Sequence, residues 1–543
     1  MTRALGAWHA AIVASAASLV IGCSDEAADS TMTVAQLTDP STCKECHVQH
    51  YQEWSASMHA YASKDPVFRA MNRRGQEETN GALGSFCVKC HAPMAVERGA
   101  TTDGLNLAEV PEALQGVTCY FCHNADAVAG THNNPIHLSN DATMRGGFKN
   151  PVRNPAHRSE YSFLMSGASP ESAKLCGSCH DIVLPSPPAP PSNSGAPVHL
   201  ERTFSEWQAS IFADGDDAGA GLPCPSCHMV PSPAPFKGFG PAAEKAGLAV
   251  GSRNLHEHLF PGVDVAFARF PDTGNAAEDE FLESRHRQRI QYFLNSTVHV
   301  KEICVHIVNV DQTRITVMLE NVGAGHLWPS GASHDRRAWV EVKAYVDGQA
   351  TPVYESGAIA DDEDITSREG RDPDLWLFRD KLSGVGDKEP HMFWDVTDAK
   401  SYALPVAVTL VPTDPRYFAN HVSRTYPLSK TATIGAPPDP ARLRVTVRVR
   451  LQAMGFDVLD DLIASGHLDP AIRAKMPIFS LYPNAVLANK PEVIGPHPEL
   501  RRLGEVSFEW SEAVRNSGRF DAVRNFKDGA TQDCIGMKSP QSE

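Results

Sequence analysis

Apolar positions recur along this chain with two different periods, and the change of period divides it. From Val48 to Arg69 the residues Tyr51, Trp54, Met58 and Tyr61 return every three or four positions, which predicts a helix, with Pro66 near its end. A second short helix is predicted over 169–175, with Ser169 as N-cap and Pro170 as its first residue. Phe281, Leu282, Ile290, Phe293 and Leu294 predict a connecting helix over 276–294. Beyond it the period falls to two. Val298 to Val310, Arg314 to Leu319, Ala338 to Val346 and Leu443 to Leu451 alternate or run β-branched, and predict strands of a β-sandwich. Val346-Asp347-Gly348-Gln349 marks a turn. Phe456 to Ser465 reads as a helix, and the remaining C-terminal residues show no clear pattern.

The stretch from Cys43 to His228 has little periodicity of its own, but it carries a motif five times. Cys43-Lys-Glu-Cys46-His47, Cys87-Val-Lys-Cys90-His91, Cys119-Tyr-Phe-Cys122-His123, Cys176-Gly-Ser-Cys179-His180 and Cys224-Pro-Ser-Cys227-His228 all read C-x-x-C-H. Two thiols at this spacing reach the two vinyl groups of one porphyrin, and the following His ligates the iron from one face. A single match is also compatible with a redox dithiol or half of a zinc site. Five matches, each with its trailing His, point to five covalently bound c-type haems. So little protein per haem cannot wrap each one in a core of its own, so the porphyrins must lie close together and form much of the interior. Short helices and long loops are expected there, with stiff proline-rich spacers at Pro185–Pro191 and Pro231–Pro241.

Charge and cysteine usage narrow the setting. The formal net charge is −16, which argues against nucleic acid as a partner. Ten of the 13 cysteines lie in the motifs, leaving Cys23, Cys304 and Cys534. Haems of this type are attached after export. An oxidising compartment allows a Cys304–Cys534 disulfide as readily as two free buried thiols. The N-terminus fits export: Arg3, then an apolar run to Ile21, too short for a convincing membrane span. Val20-Ile21-Gly22-Cys23 resembles a bacterial lipobox, which implies cleavage before Cys23 and lipidation of it; the alternative is an ordinary signal peptide. Ser24 implies sorting to the outer membrane. The expected localisation is the cell envelope, with a lipid anchor in the membrane and redox proteins as donor and acceptor.

Of the 23 histidines, five end the motifs, and the others supply candidates for the opposite face of each iron. Tyr51-Gln52-Glu53-Trp54-Ser55-Ala56-Ser57-Met58-His59 resembles the W-x-x-S-x-H segment of the cytochrome c-554 and c-prime family, tetrahaem electron carriers of ammonia oxidisers. The resemblance implies that His59 is a distal ligand. His157, in Asn154-Pro155-Ala156-His157-Arg158, resembles another distal-ligand segment. Arg253 to Gly262 resembles the R-x-H-x-F-x-G segment of related hydroxylamine-oxidising and tetrahaem cytochromes. There His258 keeps the spacing to Phe260 and Gly262, while His256 is better spaced from Arg253, and both stay open. Asn321 to Gly331 resembles the N-x-G-x-G-H-x-x-P-T-G loop of multihaem cytochromes with a C-terminal sandwich, making His326 either a ligand or a buried structural His. His137, with His132 as its alternate, is the fifth candidate. The resemblance covers roughly residues 41–262 and departs from the family in having five sites instead of four.

The expected organisation is multidomain. A signal peptide (1–22) and a tether (23–40) precede a mainly α and irregular pentahaem domain (41–262). A connecting helix (263–296), an all-β sandwich (297–455) and a helical or irregular extension (456–543) follow. The expected function is electron transfer along closely packed, mostly bis-His haems. The alternatives are an oxidoreductase acting on a nitrogen or sulfur oxyanion at one open haem, and a sandwich that docks a redox partner. The nitrite reductases that make ammonia typically carry a C-x-x-C-K motif, and none occurs here.

Overall fold

The computed structural model describes residues 31–184, 197–213, 221–230, 238–245, 249–307, 313–346, 349–428, 443–481, 506–509 and 531–536. Residues 1–30, with the expected signal peptide and Cys23, and Pro185–Pro191 lie outside the described residues.

The haem-motif region is built from short helices. The helix expected over Val48–Arg69 is three: Val48–Ser55, Met58–Tyr61 and Pro66–Glu78. Two capping residues divide it. Ser57 is extended, and its hydroxyl accepts a hydrogen bond from the Ala60 N–H, which starts a new helix. Asp65 caps the third helix through the Val67 and Phe68 N–H groups, with Pro66 at its first position. Pro66 therefore opens a helix instead of closing one, because its missing N–H costs nothing there. The helix leading into Cys176 spans Glu171–Gly177, and the Ser169 hydroxyl accepts from the Glu171 N–H. Four two-stranded sheets complete the region, all small.

A 22-residue helix, Ala276–Thr297, leads directly into the first strand of the β-region, Val298–Ile307. Two large antiparallel sheets and one two-stranded sheet, Asp380–Gly384 with Val396–Ser401, form this region among the described residues. In the four-stranded sheet, Thr313–Asn321 lies between Val298–Ile307 and His421–Pro427, and Thr531–Gly536 pairs the outer side of Val298–Ile307. In the six-stranded sheet, Arg337–Val346 and Leu443–Gln452 form the centre, register Arg337 opposite Gln452 through Val346 opposite Leu443. Alternate residues Val445, Val447, Val449 and Leu451 are buried, as are Ile315, Val317 and Leu319. They share one hydrophobic core.

That core does not stop at the sandwich. It takes in Val67, Ala70 and Leu83 from the haem-motif region, Ile290 and Leu294 from the long helix, and Trp394 from the sandwich. Trp394 donates to Glu78 Oε2 at 2.7 Å, and its ring leaves no room for a Cβ at Gly75, so the helix approaches closely at that glycine. The two parts are packed against each other along this seam.

Candidate haem-binding site

Each motif places its His at the end of a single helical turn, because the His N–H bonds back to the carbonyl of the first Cys, as in His47 to Cys43 and His228 to Cys224. The imidazoles are then fixed by carbonyl oxygens from distant parts of the chain. Nδ1 of His47 faces Ala242 O at 2.7 Å, that of His91 faces Ala62 O at 3.1 Å, and that of His123 faces Arg145 O at 2.5 Å. The same holds for His157 with Arg158 O, His258 with His256 O and His326 with Leu327 O. A carbonyl can only accept, so Nδ1 is the protonated nitrogen and Nε2 keeps its lone pair. Burial pushes the motif imidazoles below their ordinary range, His91 and His228 to about 4. They are neutral at physiological pH, the form that ligates metal.

Four pairs of imidazoles face each other at nearly one distance. The ring centres of His47 and His157 lie 6.3 Å apart, those of His123 and His258 6.2 Å, those of His180 and His59 6.2 Å, and those of His228 and His326 6.5 Å. An iron held between two imidazoles needs two bonds of about 2 Å, plus roughly 1 Å from each nitrogen to its ring centre, giving roughly 6 Å in all. With paired thiols beside one member of each couple, the donor set fits c-type haem.

Local chemistry explains how the distal segments reach their places. Trp54 Nε1 donates to Val117 O at 2.7 Å, while the Val117 N–H donates to His59 O at 2.8 Å. Gly116, at φ +68, lets the backbone pass within contact of His59 O and Ala60 O, where a Cβ would collide. This stitches His59 to the loop entering the third motif. The 253–262 segment is clamped by buried charge. The carboxylate of Glu257 accepts from Arg289 at 3.0 Å, and Glu53 accepts from the His258 N–H at 2.9 Å. The His326 loop is gripped by Thr203–Gln208, the helix between motifs four and five. Glu206 Oε2 accepts from Ser330 Oγ at 2.7 Å and from the Leu327 N–H at 3.3 Å, and Thr203 Oγ1 accepts from the Gly331 N–H at 3.0 Å.

The remaining candidates stand elsewhere. His256 packs its ring against Gly167, and His258 is the member of that pair that faces a motif His. His137, the fifth candidate for a distal ligand, lies exposed on the Ala125–Val128/Ile136–Leu138 hairpin, 2.6 Å from Asp126 Oδ1. A short strand turned toward solvent pairs with a carboxylate more readily than with a buried iron. His132 is exposed beside Thr131. Among the described residues His91 therefore faces no second histidine. Its ring stacks instead on Phe68, 3.9 Å between centres and 5° from parallel. Phe68 gave no signal in the sequence beyond its place in an apolar pattern. The carbonyl partners could not have been found there at all, since every residue carries one.

The motifs also touch one another. The side chain of Cys43 neighbours that of Cys119, Cys90 that of Cys179, and Cys176 that of Cys224. Phe260, held at φ +46, sets its ring 4.5 Å from that of His59 and 5.7 Å from that of His258.

Five C-x-x-C-H turns, neutral buried imidazoles and a β-rich C-terminal part make this a multihaem c-type cytochrome fold. Residues 42–124 match the family model described as cytochrome c554 and c-prime. Among solved structures, the chain is similar to the penta-haem cytochrome c552 from Thermochromatium tepidum, at 16% identity and a TM-score of 0.50, covering 83% of this chain and 98% of that one. No curated protein matches.

Proposed function

We propose that this protein is a pentahaem electron carrier of the cell envelope. Haem c, when bound, supplies a one-electron iron centre whose potential is tuned by its ligands and surroundings. The chain's residues determine the rest. His47 with His157, His123 with His258, His180 with His59, and His228 with His326 would hold four irons, and His91 would hold the fifth. The single observation that carries this reading is the set of four facing imidazole pairs at 6.2–6.5 Å.

Neighbouring cysteines of different motifs support an order for the sites. The first motif adjoins the third through Cys43 and Cys119. The fourth adjoins the second through Cys179 and Cys90, and the fifth through Cys176 and Cys224. Phe260 lies between the distal histidines of the third and fourth. The fourth site is thus a junction from which one arm leads to the first and third, one to the fifth beside the sandwich, and a short one to the second. A lipidated Cys23 would hold this assembly at a membrane, facing redox partners.

A second reading is favoured by His91 alone: among the described residues no second histidine faces it, the arrangement a reactive haem would require. Nitrogen or sulfur oxyanions are the substrate class in that case.

The test is a haem count with spin-state analysis. Pyridine haemochrome and intact mass should give five covalent haems per chain, and electron paramagnetic resonance four low-spin centres and one high-spin. A count of four or fewer would refute the central claim.

A further inference from the structure

Ten cysteines belong to the haem motifs and Cys23 to the N-terminal segment, so Cys304 and Cys534 are the two without a role. They lie far apart in the chain but meet in the four-stranded sheet. Strand Thr531–Gly536 pairs antiparallel with Val298–Ile307 from Thr531 opposite Ile307 to Gly536 opposite Glu302, with Cys534 directly opposite Cys304. The register runs without a bulge. Directly opposed residues in an antiparallel ladder have Cα atoms about 4.5 or 5.5 Å apart, depending on the type of pair. A disulfide requires about 4.4–6.8 Å. Either type of pair satisfies that range.

We propose that Cys304 and Cys534 form a cross-strand disulfide that fastens the C-terminal strand to the four-stranded sheet. The proposal rests on the haem reading only in one respect, that a protein with c-type haems matures in an oxidising compartment. The two thiols lose two protons and two electrons and a sulfur–sulfur bond forms. An envelope thiol oxidase takes up both, its own disulfide being reduced to a dithiol. The bond has a structural purpose. Among the described residues Thr531–Gly536 pairs with the sheet along one side only, on Val298–Ile307. Val298–Ile307 in turn continues directly from the long helix whose Arg285 and Arg289 flank Glu257. Fastening the strand closes the outer side of the element that links sandwich to haem region.

The experiment is peptide mapping of the holoprotein. Free thiols are alkylated in denaturant without reductant, the protein is digested, and the peptides are analysed by mass spectrometry before and after reduction. Haem-bearing cysteines are thioethers and do not react. The expected result is one linked pair of peptides containing Cys304 and Cys534, which separates on reduction with the gain of two hydrogens. Alkylation of both residues in the unreduced sample overturns the proposal, as does Cys304 linked to any other cysteine. The haem count on the same sample keeps the two readings apart: five haems with two free thiols refute the disulfide alone, and absent haems refute the electron-carrier reading. A C304S/C534S variant should retain its haems and melt lower by on the order of 5–10 °C. An unchanged melting temperature in that variant counts against the bond.

Discussion

The imidazole of His326, on a loop of the β-sandwich, lies 11° from parallel to that of His228, at the end of the fifth C-x-x-C-H motif, with 6.5 Å between ring centres. Glu206 and Thr203 fix the loop that carries it, so the pairing is built by elements from both parts of the chain. Replacing one imidazole by a thioether raises a haem potential. His326→Met should therefore raise one of the reduction potentials by more than about 59 mV, a tenfold change for a one-electron couple, and leave the others nearly unchanged. A spectroelectrochemical titration indistinguishable from wild type would dismiss this pair.

His91 stacks on Phe68 and faces no second histidine among the described residues. Imidazole or cyanide added to the oxidised protein should perturb one haem's share of the Soret band and convert the high-spin signal to low-spin. His59→Ala should add a second high-spin centre, since His59 is the partner of His180. Perturbation of all five haems alike, or of none, would contradict the assignment.

Glu320 links sandwich stability to pH. Burial raises its carboxyl, but hydrogen bonds from His421 at 3.0 Å and Lys301 at 2.9 Å outweigh burial and hold it to about 2. A carboxylate held below its unfolded value of 4.5 contributes stability that is fully present above pH 4.5. That contribution is lost as the pH falls toward 2. Urea midpoints measured at pH 6, 4 and 2.5 should fall across this window in the wild type and fall less in Glu320→Gln. Equal slopes for the two proteins would remove Glu320 from the account.

Arg337 is 1% exposed and bonded to Asp457 Oδ2 at 2.5 Å, with the carbonyls of His334 and Arg336 as its other acceptors. Asp457→Ala leaves a buried guanidinium without its counter-charge, at a cost of about 3–5 kcal/mol. Chemical denaturation followed by far-ultraviolet circular dichroism measures it. An Arg337→Met/Asp457→Leu double variant should recover most of the loss, because an apolar pair of similar volume has no stranded charge.

Much of this architecture is legible in the sequence because it depends on local chemistry. The C-x-x-C-H turns announce themselves, and the alternation Val445, Val447, Val449, Leu451 marks a strand with one buried face. Val48 to Arg69 has the pattern of one helix because its period survives two interruptions: Ser57 and Asp65 each cap a new helix while the apolar residues keep their spacing. The facing of His47 by His157, or His123 by His258, has no local signature. It is set by carbonyls such as Ala242 O and Arg145 O and by the clamp of Arg289 on Glu257, all distant in sequence. His137 shows the converse, since a suggestive Asn-Pro setting led to a solvent-facing hairpin and an ion pair with Asp126.

The origin of His326 in the sandwich also bears on how the protein matures. In an exported, haem-loaded chain the fifth motif would leave the export machinery well before the loop that carries His326, so a haem attached there would wait for a later part of the chain to fold. Closure of the sandwich onto Thr203–Gln208 then serves as an assembly checkpoint. Chains truncated before the loop should accumulate with an exposed, oxidant-sensitive cofactor, which makes the β-domain a requirement for maturation as well as a cover.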